Sequence, residues 1–283
     1  MPRRAPLRAD RTHVVLNPAP VTASPAPTTG RPHGLPFVEW NPPRTAKALL
    51  VCLPHAGSGA FQFRPWQELL GPDVALLAVQ LPGRENRWRE EPATGMAQVL
   101  DELVPALASR LDLPYAVFGH SMGALVGYEL ARALGRDHGR WPLGFVASAS
   151  RAPDEQGEPS GTPRLTDQEL VAELVAAGAV PEAAAANSRL AAAVVRPLRG
   201  DSAICDSYTP PEQDTLLPCP LDAWRGLDDE GVTDDHIRRW PEWSAGPGTV
   251  RTFPGDHFYH LADPRPVTAG LRTFIASQLP PRG

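Results

Sequence analysis

From residue 37 onward, apolar positions follow two alternating patterns. Nearly unbroken apolar runs of strand length occur at 48–53, 74–80, 115–118 and 143–149. Runs of this kind mark strands covered on both faces, as in a parallel sheet. Between them, helical spacing appears at 64–70, 96–110 and 122–134, the second placing Val99, Leu100, Leu103, Leu107 and Leu111 on one stripe. Strand and helix in alternation predict an α/β fold with a mostly parallel, doubly wound sheet.

After residue 149 the pattern changes. Thr166-Asp167-Gln168-Glu169 is a capping-box sequence. It opens an amphipathic helix carrying Leu170, Leu174 and Val175 that is expected to end near Ala179, before Pro181. A second, Ala-rich helical stretch over 183–205 contains Pro197 and is expected to kink or break there. No strand pattern separates the two. The segment 151–215 therefore reads as an all-helical insertion, the place where an α/β sheet commonly carries a lid. Strand signals resume at 221–224 and 249–253, and a helix over 267–279 closes the domain.

Composition adds a boundary. Of 34 prolines, seven fall within the first 35 residues, among Ala, Thr and Arg and without apolar periodicity. Such a segment cannot bury enough surface to offset the entropy of ordering it. Residues 1–35 are thus expected to be a disordered extension, followed by one domain over 36–283. The extension carries five Arg against one Asp but lacks the apolar core of a secretory signal. No other stretch is apolar enough to span a bilayer, so a cytoplasmic location is expected. A formal charge of −5, without basic clustering, argues against a nucleic-acid partner. Cys52, Cys205 and Cys219 form no C-x-x-C pair, so neither a disulfide framework, a zinc site nor another cofactor is expected.

The candidate chemistry centres on Gly119-His120-Ser121-Met122-Gly123. This G-x-S-x-G sequence follows the 115–118 strand and precedes the 122–134 helix, the strand-turn-helix context of a nucleophile elbow. Side chains at either glycine would meet neighbouring backbone in that turn. Ser121 would stand at a helix start, where amides favour developing negative charge.

A serine hydroxyl needs a base, and the base an orienting carboxylate. The α/β-hydrolase chain order, Ser then Asp or Glu then His, leaves His236, His257 and His260 downstream. His257 is preferred because it lies on a Gly-containing loop directly after a strand. His236 and His260 read as surface or packing residues. After the 221–224 strand, Asp228 and Asp229 both offer the acid; Asp229 is favoured and Asp228 stays a competitor. Asp256 reads as a loop-stabilising carboxylate. For the oxyanion hole, one N–H is expected from Met122 and another from the small-residue loop 54–59, with Ala56 the candidate and His55 shaping the loop. That loop lacks the Lys of a P-loop and the third Gly of a dinucleotide fingerprint.

Four blocks taken together resemble the type II, or editing, thioesterases of nonribosomal peptide and polyketide synthesis. They are Leu53-Pro54-His55-Ala56-Gly57, the 79–85 segment VQLPGRE, the 118–123 segment FGHSMG and the 253–258 segment FPGDHF. The 198–208 segment also resembles the helix ending that family's lid. The resemblance implies an α/β-hydrolase fold with a helical lid. It also implies a stand-alone, monomeric serine thioesterase that clears misprimed or stalled acyl groups from the phosphopantetheine arm of carrier proteins. Ser121, Asp229 and His257 match the triad positions, and Ala56 and Met122 the oxyanion donors. Ser58 departs from a frequent Gly, and Glu230 from a Pro. Arg84, Arg87 and Arg89 are candidates to face an acidic carrier or pantetheine phosphate, but charge runs are usually solvated, and Arg84 with Glu85 reads equally as a local structural pair.

Overall fold

The computed structural model describes residues 34–157, 159–176, 186–212 and 216–279. The expected N-terminal extension lies outside these residues except at its last two positions, as does the expected end of the first insertion helix near Ala179. Among the described residues, the strands are β1 (Phe37–Val38), β2 (Ala48–Leu53), β3 (Val74–Val79), β4 (Tyr115–His120), β5 (Gly144–Ser148), β6 (Leu221–Gly226) and β7 (Val250–Phe253). They form one sheet in the order β1-β3-β2-β4-β5-β6-β7. All pairings are parallel except β1 with β3.

Strands β2 to β6 are buried at every position; β2, β3, β4 and β5 are mostly apolar, and β6 encloses Asp222 and Arg225 as well. Alternation of side chains divides them between two cores. Leu49, Val51 and Leu53 join the core that includes Leu103, Leu107 and Leu125, from helices α2 (Met96–Ala108) and α3 (Met122–His138). Ala48, Leu50 and Cys52 join the one with Trp66, Leu70, Leu271 and Ile275, from α1 (Trp66–Leu70) and the last helix, α8 (Pro264–Gln278). Each fully buried Leu or Ile contributes roughly 2 kcal/mol of transfer free energy.

From β2 the chain goes first to β3 on one side and later to β4 on the other. The order therefore reverses between β2 and β4. In open parallel sheets, ligands bind outside the carboxyl ends of the strands at such a point. The loop after β2 and the turn after β4 are the two segments noted above for their candidate chemistry.

Within the insertion, the described residues hold two 3-10 turns, α4 (Asp167–Ala176) and α5 (Ser188–Asp206), and no strand. Glu169 Oε2 accepts from the Thr166 N–H at 2.7 Å, and Thr166 Oγ1 from the Glu169 N–H at 3.3 Å, which completes the capping box. Pro197 does not break the helix: α5 runs through it. The helix is held on both sides of the proline. Arg196 pairs with Glu91 and donates to the Trp88 carbonyl, while Arg199 pairs with Asp167 and donates to the Leu165 and Thr162 carbonyls. Two short helices, α6 (Asp234–Arg238) and α7 (Tyr259–Ala262), flank the loops after β6 and β7. Among the described residues, no helix is long and apolar enough to cross a membrane.

Candidate active site

Ser121 sits between β4 and α3 with φ 54° and ψ −121°. Positive φ is costly for a residue bearing a Cβ, and strain of this kind clusters at functional turns. Two close approaches hold the turn. A Cβ on Gly119 would lie 2.2 Å from the Gly123 carbonyl oxygen, and one on Gly123 would lie 2.4 Å from the Leu53 carbonyl oxygen. Both glycines are therefore required by backbone contact, and the second presses the start of α3 against the end of β2. The Ser121 N–H donates to the Ser148 carbonyl at 2.8 Å.

The loops after β6 and β7 are zipped together. Leu227 N–H donates to the Phe253 carbonyl and Asp228 N–H to the Gly255 carbonyl, with Gly255 at φ 112°. This brings Asp229 Oδ2 to 2.7 Å from His257 Nδ1. Asp229 Oδ1 accepts from the N–H groups of Gly231 and Val232 at 2.9 and 3.0 Å. Burial alone would raise this carboxyl, but the His257 contact and the two amides hold it below the usual carboxylate range. An ionised acceptor at Nδ1 requires the proton there, which leaves the Nε2 lone pair free to act as a base. Asp228 is exposed and Asp229 buried. Asp256 Oδ1 accepts from the Phe258 N–H within its own loop.

The other histidines are engaged elsewhere. His236 Nδ1 accepts from the Thr233 N–H in a capping box at the start of α6. His260 is fully buried, with Nε2 3.0 Å from Gln62 Oε1. Its ring packs against that of His120 at a tilt of 32°, with centroids 3.8 Å apart, and His55 is nearby. Burial keeps all three of His55, His120 and His260 in the neutral form, His55 with a pKa of about 4. Sequence reading did not anticipate this cluster. A serine–histidine contact away from the elbow, Ser148 Oγ to His120 Nδ1 at 2.8 Å, is completely buried and shared with the Tyr259 hydroxyl, so no substrate reaches it.

In the loop after β2, the Gly57 N–H donates to Asp201 Oδ2 and the Ser58 N–H to the His55 carbonyl. The Ala56 N–H has no protein acceptor among the described residues. Met122 is the first residue of α3, where a backbone N–H has no intrahelical acceptor. A cavity of about 380 Å³ is bordered by Ser121, Met122 and His257 on one side, with Leu125, Cys205 and Val232 among its apolar lining residues. Ala56 does not border it but lies on the adjoining loop.

Two of the cationic positions are not available to a partner. Arg84 and Arg87 are 3% and 2% exposed. Arg84 is paired with Asp201, and Arg87 with Glu90 and Glu102. Arg84 is thus bound to a residue of α5 rather than to Glu85, whose carboxylate instead accepts from the Phe61 N–H. Only Arg89 is exposed, its guanidinium 4.9 Å from the Trp88 ring centre.

The chain is similar to the gramicidin S biosynthesis protein GrsT of Aneurinibacillus migulanus, 32% identical over 223 residues that cover 79% of this chain and 87% of GrsT. It is 33% identical to thioesterase PikA5 of Streptomyces venezuelae, over 80% of each chain. Among solved structures, the type II thioesterase BorB of the borrelidin cluster superposes with a TM-score of 0.79 at 33% identity, covering 87% of this chain and all of BorB. RedJ, the thioesterase of the prodiginine pathway in Streptomyces coelicolor, gives 0.76 at 34%, over 84% and 90%. The thioesterase domain model matches residues 48–277, which include the elbow and both loops that hold Asp229 and His257: the chain belongs to the thioesterase domain family, with an α/β-hydrolase fold.

Proposed function

We propose that this protein is a serine thioesterase that hydrolyses misprimed or stalled acyl groups from phosphopantetheinyl carrier proteins of a polyketide or nonribosomal peptide assembly line. The observation that carries the reading is the joint presence of Ser121 and His257 on one cavity, with the buried Asp229 carboxylate on the far nitrogen of that imidazole. The relatives named for gramicidin S, borrelidin and prodiginine biosynthesis support the choice of substrate class over free esters.

In this reading Ser121 Oγ attacks the thioester carbonyl while His257 Nε2 takes its proton. The carbonyl oxygen becomes an oxyanion facing the N–H groups of Met122 and Ala56. Collapse breaks the C–S bond, and the phosphopantetheine sulfur leaves, taking the proton from His257. Water then repeats the sequence on the acyl-serine, releasing the acid and restoring Ser121. Asp229 stabilises the imidazolium formed in each half. No metal or cofactor takes part, since the pantetheine arrives with the substrate. The protein acts as a cytoplasmic monomer on its carrier partners, with no membrane or nucleic acid involved, and residues 1–35 are an extension outside the catalytic domain.

The test compares hydrolysis of acyl-pantetheinyl carrier protein, acyl-CoA and a p-nitrophenyl ester of matched acyl length, with Ser121→Ala as control. Carrier-bound thioesters should be preferred and Ser121→Ala inactive. A clear preference for the oxygen ester overturns the substrate assignment, and activity that survives Ser121→Ala overturns the serine mechanism.

A further inference from the structure

Asp201 lies on α5 and is completely buried, 117 residues from Arg84 in sequence. Its Oδ2 accepts from Arg84 Nη1 at 2.6 Å and from the Gly57 N–H at 2.7 Å, and its Oδ1 from Arg84 Nη2 at 2.7 Å. Arg84 Nη1 also donates to the Ser58 carbonyl at 2.9 Å, and its Nε and Nη2 to the Pro82 carbonyl. One ion pair therefore grips the loop after β2 at two successive residues. Gly57 holds φ at 79°, and its Cα hydrogen faces Leu198 of the same helix, where an added Cβ would stand 3.4 Å from the Leu198 Cβ.

Buried ion pairs are weak evidence for stability, since apolar replacements of similar volume are often neutral or stabilising. The placement of this one points to geometry. With the Gly57 N–H and the Ser58 carbonyl tied down, the peptide plane ahead of Gly57 is restrained, and the Ala56 N–H is left without a protein acceptor among the described residues. We propose that Asp201 and Arg84 are a positioning pair for the oxyanion loop. They touch no substrate atom; they hold Gly57 so that the Ala56 N–H meets the developing oxyanion. The proposal rests on the serine mechanism above.

The test uses the full chain, with acyl-pantetheine as substrate and a fluorophosphonate that labels the reactive serine. Three variants are compared with the parent: Asp201→Asn, Arg84→Lys, and the double change Asp201→Leu with Arg84→Met. Asp201→Asn leaves the buried guanidinium without its counter-charge, while the double change removes both charges and should melt within a few degrees of the parent. A loop displaced by about 1 Å costs up to about 100-fold in turnover. The double variant should accordingly lose kcat by that order, with KM changed less than about threefold and labelling slowed in proportion. Its affinity for a trifluoromethyl ketone, which forms a tetrahedral adduct, should fall with kcat, while that for the matching alcohol should not. Arg84→Lys, which keeps the charge but not the fork, should show a smaller loss of the same kind.

A folded double variant with parental kcat and labelling rate overturns the proposal. So does a loss confined to KM, or one in which ketone and alcohol weaken equally. If the parent hydrolyses no thioester yet is labelled at Ser121, the proposed substrate fails while the labelling rates still decide the role of the pair. A parent that is not labelled overturns both.

Discussion

Asp228 and Asp229 carry the same side chain and meet opposite surroundings. Asp229 is 4% exposed and has both carboxylate oxygens occupied, by His257 and by two backbone amides, whereas Asp228 stands in solvent. Asp229→Asn should lower kcat by about four orders of magnitude, because an amide at this point favours the wrong imidazole tautomer. Asp228→Asn should stay within about twofold, as exposed substitutions usually do. Steady-state kinetics of the two variants check this, and a reversed pattern would move the acid by one residue. Cys205 offers a second check at this scale. Its thiol borders the cavity, yet burial, with Asp201 and Asp206 nearby, pushes its pKa up to about 12. The protein should therefore keep its activity through iodoacetamide treatment at pH 8, where a free thiol is partly thiolate and reacts. Inactivation with alkylation mapped to Cys205 would contradict this environment.

Helix α5 shows how a small residue sets the place of a whole element. An added Cβ on Gly200 would lie 2.6 Å from the Ala93 carbonyl oxygen, so this glycine lets the helix approach closely and brings Asp201 to the loop after β2. Gly200→Ala gains about 1 kcal/mol of helix propensity but meets backbone, and overpacking of that kind costs about 1–3 kcal/mol. Overpacking wins, and the melting temperature should fall by about 3 °C; a rise would show that the helix is not pressed against Ala93. Strands β2 to β5 were legible in the sequence because they are mostly apolar on both faces, a pattern that follows directly from burial. The elbow was legible because two backbone contacts demand Gly119 and Gly123. Other features were not. β1 is two residues long and shows no period. The expected stop of α3 at Leu134 is overrun to His138, since Gly135-Arg136-Asp137-His138 tolerates helix until Gly139 adopts φ 65°. Pro197 was read by its local effect, whereas the ion pairs of Arg196 and Arg199 hold the helix through it. The Arg84–Asp201 pair joins positions that nothing local relates.

At the scale of the whole molecule, the buried imidazoles couple stability to pH. His55, His120 and His260 all have pKa values lowered first by burial and then by neighbouring imidazoles, His257 among them. In the unfolded chain each would titrate near 6.5. Between that value and the lower folded one, the unfolded state binds more protons, so stability rises with pH across the interval. The stabilisation is complete above about pH 6.5 and is lost as pH falls toward the folded values. For His55, with its folded pKa of about 4, acidification to pH 5 removes about 2 kcal/mol. His120 and His260 add losses of the same sign. Asp229, held low by His257 and the two amides against its burial, reinforces the trend only nearer pH 4. Glu85, pushed up by burial, opposes it, but as one group against three. The urea midpoint should therefore drop clearly between pH 7 and pH 5, and His55→Gln should flatten the dependence without abolishing it. A midpoint constant over that range would mean that these imidazoles take up protons inside the fold, which the absence of any carboxylate hydrogen-bonded to their rings, among the described residues, argues against.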